Sequence, residues 1–250
     1  MIRVLKIGGR AQSDPGLAAA VLSAAAETGI VVVHGGGDEV SALQRRLGMT
    51  PRFHGGRRVT TRDDLEIVQM VLSGSANKRL VAAFVNAGVR AVGISGEDDG
   101  LLRARATARE TLGEVGEPSR VDTRLLELLI DAGYVPVVSP LARDEDTGAT
   151  LNVNGDDAAA EIAIALGATE LVLVADVPGV MTSGAVIGEL DLERAVALIE
   201  DGTARDGMAA KLQAARRAVE RGVARVRIGN LAAIQSATAG TVITHSTTAV

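Results

Sequence analysis

The chain has 250 residues, 47% of them apolar, which is enough for one large α/β domain or two small lobes around a sizeable core. Its formal net charge of −5 and its low aromatic content (two Phe, one Tyr, no Trp) disfavour a nucleic-acid surface. The absence of cysteine excludes disulfides, thiolate metal sites and cysteine nucleophiles, and the three histidines are too scattered for a zinc site.

The chain also carries no pattern that directs a protein into or across a membrane. It has no run of about 18 apolar residues, the length that a membrane-spanning helix needs. The segment Met1–Lys6 is too short and too charged for a signal peptide. We therefore expect a cytoplasmic protein with neither a membrane nor a nucleic acid as its partner.

Short apolar runs alternate with amphipathic stretches along the chain. The apolar runs predict strands that are buried on both faces, as in a parallel sheet, over Ile2–Ile7, Ile30–Val33, Val89–Ile94, Val135–Val138, Glu170–Ala175, Ala224–Ile228 and Thr241–Thr244. The stretches between them predict helices over Asp14–Thr28, Asp38–Leu47, Asp122–Ala132, Asp156–Leu166 and Gly207–Arg221. This alternation predicts βαβ units in a three-layer α/β/α sandwich with an open, mainly parallel sheet.

Two further segments predict a helix start and a hairpin or lid. Thr61, with Asp64 three residues later, predicts a capping box at the start of another helix. The polar segment Gly100–Val121 interrupts the alternation and predicts a hairpin or lid outside the core.

Glycine-rich turns follow the first two predicted strands, at Lys6–Gly9 and His34–Gly37. Ligands of open parallel sheets bind at this edge, and a glycine turn into a helix N-terminus favours anions. Neither turn has the spacing of a Walker A loop. An ordinary βα turn also explains each motif alone, and we interpret His34 as a structural residue rather than a catalytic base.

Four later motifs carry polar or charged residues at predicted turns or helix starts. They are Gly55–Thr60, Asn152–Asp156, Asp176–Met181 and Asp206–Lys211. Each also has a simpler explanation when it is taken alone: a solvated arginine, a helix cap, a Pro-Gly turn and a solvated lysine. The order in which the motifs occur is more specific than any one of them.

In that order, the motifs closely resemble those of the amino-acid kinase family. They are Lys-x-Gly-Gly, His-Gly-Gly-Gly, Gly-x-Arg-Val-Thr, Gly-x-x-Asn-Lys at Gly74–Lys78, Asn-x-Asn-x-Asp and Asp-Gly-Met-x-x-Lys. The resemblance runs from Lys6 to Ile243, essentially the whole chain. It is strongest to the branch of the family that acts on N-acetyl-L-glutamate in arginine biosynthesis.

The resemblance implies a role for each matching residue. Lys6 and Lys211 would stabilise the transferring phosphoryl group, and Asp156 would orient both lysines. The implied contacts to the acylated amino acid are Gly36, Gly37, Arg58 and Asn152. The implied nucleotide contacts are Gly8, Gly9, Asn154, Asp176, Val177, Pro178, Gly179, Val180, Met181, Thr203, Ala204 and Arg205.

The resemblance also implies the organisation of the protein. We expect one domain over residues 1–250, with an acyl-amino-acid and dimerisation lobe over roughly 1–165 and a nucleotide lobe over 166–250. ATP would bind with Mg²⁺ held through its phosphates, and no metal would bind to protein side chains alone. Because the chain lacks the N-terminal helix of hexameric, arginine-inhibited relatives, we expect a homodimer that arginine does not inhibit.

The implied reaction is ATP-dependent phosphorylation of the γ-carboxylate of N-acetyl-L-glutamate. That carboxyl group has a pKa near 4.3, so it is ionised at neutral pH and needs no general base. The alternatives are N-succinylglutamate, or aminoadipate that is either N-acetylated or bound to a carrier protein, because one methylene changes discrimination by only about 1–3 kcal/mol. An acidic carrier would need a basic patch, which Arg103, Arg105 and Arg109 would supply if they are not simply solvated. A non-catalytic sensor is a further alternative, although both lysines and Asp156 are present.

Overall fold

The computed structural model describes residues 1–245, and its centre is an eight-stranded sheet. All strands of residues 1–245, in this sheet and outside it, are β1 (Ile2–Ile7), β2 (Gly29–His34), β3 (Phe53–His54), β4 (Arg57–Arg58), β5 (Ala91–Ser95), β6 (Leu102–Ala106), β7 (Val115–Val121), β8 (Val135–Ser139), β9 (Leu141–Asp144), β10 (Thr150–Val153), β11 (Glu170–Val174), β12 (Met181–Thr182), β13 (Ala185–Val186), β14 (Glu189–Asp191), β15 (Val226–Gly229) and β16 (Thr241–Thr244). The order in the sheet is β14-β16-β15-β11-β1-β2-β8-β5. Every neighbouring pair is parallel except β15 and β16, so the prediction of an open, mainly parallel sheet is confirmed.

Helices cover both faces of this sheet. The α-helices of the described residues, of which α2, α3 and α5 lie away from the sheet, are α1 (Leu17–Glu27), α2 (Gly37–Arg46), α3 (Arg62–Gln69), α4 (Asn77–Asn86), α5 (Arg109–Leu112), α6 (Arg124–Asp131), α7 (Gly155–Ala165), α8 (Leu192–Glu200), α9 (Asp206–Glu220) and α10 (Ala232–Gln235). None of the helices within residues 1–245 is long and apolar enough to cross a membrane.

Alternation along β1 shows how the three layers form. Leu5 faces one apolar cluster, which contains side chains of α1 and α4 such as Leu17 and Phe84. Val4 faces the opposite cluster, with Ala159 of α7 and Leu212 of α9. Successive side chains of a strand point to opposite faces, so an all-apolar strand joins both helical layers. The sequence of β1 therefore predicts the sandwich that the structure has.

Helix ends agree with their local sequence signals. The hydroxyl of Thr61 accepts from the Asp64 N–H, and an Asp64 carboxylate oxygen accepts from the Thr61 N–H, so the predicted capping box is confirmed. Gly133, Gly167 and Gly222 follow the ends of α6, α7 and α9 with φ of 76°, 57° and 97°. This left-handed conformation is readily available to glycine and ends a helix.

The segment Gly100–Val121 contributes to the core, contrary to our expectation. It does contain an antiparallel hairpin, but its strands β6 and β7 join β9 and β10 in a small closed barrel. Leu102 and Ala104 are fully buried in the barrel. Alternation of arginine with small or apolar residues in β6 made the strand look exposed, whereas one face of it packs inside.

Three features of the fold place the site. The glycine turns after β1 and β2 meet at one sheet edge, because these strands are parallel neighbours. Helix α7 begins at the same edge, directly after β10 of the barrel. The π-helical segment Met70–Ala76 joins α3 to α4, and such segments are frequent near functional sites.

Candidate active site

Two lysines from distant parts of the chain meet at one buried carboxylate. The Nζ atom of Lys6, near the end of β1, lies 2.9 Å from Oδ1 of Asp156 in the first turn of α7. The Nζ atom of Lys211 on α9 lies 3.2 Å from Oδ2 of the same carboxylate. The lysine side chains are only 9% and 11% exposed, so three elements hold this cluster away from bulk water.

The charges in the cluster shift one another's ionisation. Burial alone would raise the pKa of Asp156, but the charges of Lys6 and Lys211 outweigh it, and the pKa lies below its ordinary value. Burial and the charge of Lys6 lower the pKa of Lys211, against the opposing effect of Asp156. With both lysines protonated, two positive charges share one negative charge, and the surplus favours an anion beside them.

A cavity of about 440 Å³ opens beside these lysines. Its wall includes both glycines of the first turn, Asp176 and Gly207. A Cβ atom at Gly8 would lie 3.0 Å from the carbonyl oxygen of Val174, so a larger residue there would crowd the turn. The amide of Gly8 already donates to that oxygen at 3.1 Å, which leaves Gly9 as the better placed phosphate donor of the two.

A second cavity of about 220 Å³ adjoins the first, and Gly37 lines both. The polar side of the second cavity contains Gly36, Arg58, Asn152 and Asn154. Its apolar side is formed by Val40, Phe53, Val68, Leu72, Val115, Pro140 and Val153. A small ligand with one polar, anionic end and one apolar end fits such a wall.

Arg58 is a buried cation that is bound by neutral acceptors. The residue is 9% exposed, and its guanidinium donates to Gln44 Oε1 at 2.6 Å, to Ser41 Oγ at 2.7 Å and to the Gly37 carbonyl at 2.6 Å. No carboxylate within residues 1–245 forms an ion pair with it. Burial lowers the pKa of Arg58, and the nearby charge of Asp64 opposes this shift. A ligand carboxylate would supply the missing counter-charge.

Gln44 and Asp64 support Arg58 in a way that our sequence analysis missed. The amide of Gln44 donates to Asp64 Oδ1 at 2.5 Å while its oxygen accepts from Arg58. Asp64 was recognised only as a capping residue. The available signal was the helical spacing of Ser41 and Gln44, which places two polar side chains on the buried face of α2.

Asn152 and Asn154 both line the second cavity, as expected for polar residues at alternate positions of an extended segment. Asn152 donates to Thr60 Oγ1 at 3.0 Å. The Asn154 oxygen accepts from the Asp156 and Asp157 amides at 2.8 and 3.3 Å, so it caps α7. Asn154, predicted as a nucleotide contact, therefore lies on the cavity of Arg58 and fixes the helix that carries Asp156.

Of the remaining predicted nucleotide contacts, one residue lines the first cavity and two segments do not. Asp176 lines the first cavity and pairs with Arg10 at 2.7 Å. The turn Val177–Met181 and the segment Thr203–Arg205 are not part of that cavity wall. The turn is held by the Val180 amide, which donates to Thr241 Oγ1 at 2.8 Å. A nucleotide role for these two segments stays a prediction.

His34 is fully buried below the second glycine turn. Burial lowers its pKa to about 4, so the ring is neutral at pH 7. Its Nδ1 atom lies 2.8 Å from the Gly35 carbonyl oxygen and its Nε2 atom lies 3.2 Å from Asn77 Nδ2. Nδ1 therefore carries the proton and Nε2 accepts, which agrees with the structural role that we inferred. Asn77 also donates to the Val137 carbonyl and ties α4 to the sheet.

No group of three or more Asp, Glu, His or Cys side chains within the described part of the chain is arranged to hold a metal ion. Cations outnumber carboxylates in the lining of both cavities: the first has Lys6, Arg10 and Lys211 against Asp38 and Asp176, and the second has Arg57 and Arg58 with no acidic residue. Such a lining binds anions.

An α/β sandwich with two glycine turns at adjacent strand ends and a lysine pair on one aspartate defines a phosphate-handling class of protein. The family model described as the amino acid kinase family matches residues 1–230. The chain belongs to this family and is a kinase.

The chain is also similar over most of its length to individual proteins. The chain is 42% identical to the acetylglutamate kinase of Chloroflexus aurantiacus over 98% of its own length and 97% of that protein. It is 47% identical to the acetylglutamate kinase of Methanopyrus kandleri over 80% of its length and 85% of that protein. Among solved structures, smu.665 from Streptococcus mutans superposes with a TM-score of 0.89 at 29% identity, covering 98% of this chain and 99% of that chain.

Proposed function

We propose that this protein transfers the γ-phosphoryl group of ATP to the γ-carboxylate of N-acetyl-L-glutamate, forming N-acetyl-L-glutamyl 5-phosphate in arginine biosynthesis. The observation that carries the proposal is the buried Arg58, which has no carboxylate partner in the described residues and faces a cavity adjoining the lysine cluster. The names of the relatives support the same reaction.

The proposed binding mode assigns each cavity one substrate. Arg58 grips the α-carboxylate of the acylated amino acid, and Asn152 holds its acylated head. Gly36 and Gly37 let the substrate approach the backbone, and the apolar wall receives the acetyl methyl group. The γ-carboxylate then points toward Gly37, where the two cavities meet.

The proposed chemical step needs charge neutralisation rather than proton transfer. A γ-carboxylate oxygen forms a bond to the γ-phosphorus while the bond to the ADP oxygen breaks, and no proton is exchanged. Lys6 and Lys211 neutralise charge on the transferring group, and Asp156 holds both lysines in position. Catalysis of this kind depends on positioning and preorganised electrostatics.

The lining of the first cavity fits a nucleotide polyphosphate. Two lysine side chains and a glycine turn face it, and its volume of about 440 Å³ accommodates a large anion. Mg²⁺ would bind through the phosphates and neutralise part of their charge. The described residues form no acidic or histidine cluster that would hold the ion by side chains alone. Asp38 and Asp176 are the acidic residues on this wall, and we assign the nucleotide contact to Asp176.

We also propose the lobe division and the oligomer. The second cavity is lined only by residues before 156, and the first takes part of its wall from residues 174–211, which supports substrate and nucleotide lobes over 1–165 and 166–250. A homodimer is consistent with β5 at the open sheet edge and with Met70 and Val85, which are 57% and 51% exposed on neighbouring helical segments. Because ATP is supplied inside the cell, we place the reaction in the cytoplasm.

Two of the three arginines that would form a basic patch for an acidic carrier already have carboxylate partners. Arg105 pairs with Glu145 at 2.7 Å, and Arg109 lies 3.5 Å from Glu114 and 3.7 Å from Asp144. Arg105 and Arg109 are therefore neutralised locally, and of the three only Arg103 forms no ion pair within residues 1–245. A single unpaired arginine is a weak basic patch for an acidic carrier.

The proposal is tested by measuring ADP release with Mg-ATP, with and without N-acetyl-L-glutamate. We expect release that depends on the acylated amino acid and saturates with it, whereas release independent of it would contradict the assignment. Sedimentation of the same sample tests the dimer, and adding L-arginine to the assay tests the expected lack of inhibition.

A further inference from the structure

A cluster of charged side chains joins four elements beside the two cavities, and of its members only Arg57 also lines one of them. It surrounds a small cavity of about 130 Å³ whose lining includes residues from β4, β7, α7 and α9. Its members, the rear cluster, are Arg57, Glu117, Asp157, Glu161, Arg217 and Arg221. Three negative and three positive charges therefore balance one another.

Asp157 is at the centre of the rear cluster, and its two oxygens have partners on different elements. Oδ1 pairs with Arg217 Nη2 on α9. Oδ2 lies 3.5 Å from Arg57 Nη2 on β4, and the other terminal nitrogen of Arg57 lies 2.9 Å from Glu117 on β7. Asp157 is only 7% exposed, so these contacts are poorly screened by solvent.

Both arginines lie on segments that also carry active-site residues. Arg57 directly precedes Arg58 and itself lines the second cavity. Arg217 lies on the same helix as Lys211, and Asp157 directly follows Asp156. A single carboxylate thus connects the hairpin of the acyl-amino-acid site with the helix of the nucleotide site.

We propose that Asp157 is a positioning residue that couples the two substrate sites. When the acylated amino acid fixes the β3–β4 hairpin, Arg57 and Asp157 hold α9 through Arg217, and Lys211 is held in place for the nucleotide. By thermodynamic reciprocity, a bound nucleotide then tightens binding of the amino acid by the same factor. The identity of the two ligands rests on the proposed function.

The pKa of Asp157 depends on the two arginines that reach it. Burial raises its pKa, and the charges of Arg217 and Arg57 oppose that rise. Loss of either arginine therefore removes a group that stabilises the ionised carboxylate.

The chain contains a matched control one turn further along α7. Glu161 accepts from Arg221 at 2.7 Å through both oxygens and so joins the same two helices. Among the described residues it forms no ion pair with the hairpin. Glu161→Gln therefore weakens the contact between α7 and α9 but leaves the connection to β4 intact.

The test measures the dissociation constant of N-acetyl-L-glutamate by calorimetry, with and without a saturating non-hydrolysable Mg-ATP analogue. We expect the analogue to tighten binding about five-fold or more in the unmodified protein and in Glu161→Gln. In Asp157→Asn and in Arg217→Gln we expect the coupling factor to fall to about one, with each ligand's separate affinity changed less than about three-fold.

Three results would overturn the coupling role: no coupling in the unmodified protein, retained coupling in both Asp157→Asn and Arg217→Gln, or an equal loss in Glu161→Gln. Arg217→Gln is the second variant because its side chain is 36% exposed and its loss is less disruptive to folding. Failure of the proposed function would look different, because the unmodified protein would then not bind N-acetyl-L-glutamate or release ADP with it.

Discussion

The Nζ atom of Lys6 lies 2.9 Å from Oδ1 of Asp156. This ion pair joins β1, the first strand of the sheet, to α7, the helix that follows the small barrel. Asp156 has a second cation, Lys211, at its other oxygen. The carboxylate keeps two like charges close together, against their mutual repulsion, at the point where a phosphoryl group would need them.

Removing either lysine should slow turnover strongly. We expect Lys6→Ala and Lys211→Ala each to lower kcat by about 10²–10³, the cost of losing one preorganised charge at the transferring group. Steady-state ADP release measures the effect. Lys78→Ala is the control, because Lys78 is an exposed lysine that donates to the Gly93 carbonyl at 2.9 Å. Near-normal turnover in either active-site variant would refute the assignment.

Arg58→Lys should weaken binding of the amino acid and spare the nucleotide. Lysine keeps the charge but loses the planar fork that now reaches Gln44, Ser41 and the Gly37 carbonyl. We expect KM for N-acetyl-L-glutamate to rise by about 10- to 100-fold, with KM for ATP within about two-fold of normal. An equal rise in both KM values would mean that Arg58 has a general structural role instead.

Gln44→Met tests whether the support of Arg58 matters. The change keeps the side-chain volume but removes the acceptor for Arg58 and the donor to Asp64. Losing one hydrogen bond to a buried cation should raise KM for the amino acid about ten-fold, with kcat little changed. A lower melting temperature with an unchanged KM would show that Gln44 contributes only to stability.

His34 should make the protein less stable in mild acid. Because burial lowers its pKa to about 4, the unfolded chain binds a proton below about pH 6.5 that the folded protein does not. Stability is therefore lost as the pH falls, by about 2 kcal/mol between about pH 7.5 and about pH 5.

Urea unfolding of the unmodified protein and of His34→Gln at both pH values measures this contribution. The variant lacks the titrating group, so we expect the difference between the two free energies of unfolding to shift by about 2 kcal/mol between the two pH values. Parallel pH dependences would contradict the assignment of a neutral, buried His34.

The sequence predicted those parts of the fold that depend on local patterns. Apolar runs marked the strands of the central sheet, and Thr61 with Asp64 marked the start of α3, because periodicity and capping are properties of neighbouring residues. Helix α8 and the barrel strands β9 and β10 were missed. Strand β9, Leu141–Asp144, is short and partly charged, and it is recognisable only through its partners in the barrel.

The sequence also predicted part of the candidate active site. The motifs named Lys6, Asp156 and Lys211, and the structure brings these residues together. Gln44 and the rear cluster were not predicted, because their roles depend on contacts between elements distant in the chain. Asp157 was not singled out from the sequence, where it is one of two acids in the first turn of α7, and only the fold shows that two arginines reach it.

The central claim is tested most directly by trapping the acyl phosphate product with hydroxylamine. The protein is incubated with Mg-ATP and N-acetyl-L-glutamate, and in parallel with N-succinylglutamate and N-acetyl-aminoadipate, and the acyl hydroxamate is quantified. We predict a strong signal with N-acetyl-L-glutamate and little with the other two. A stronger signal with either of the others, or none with any of the three, would contradict the proposed substrate.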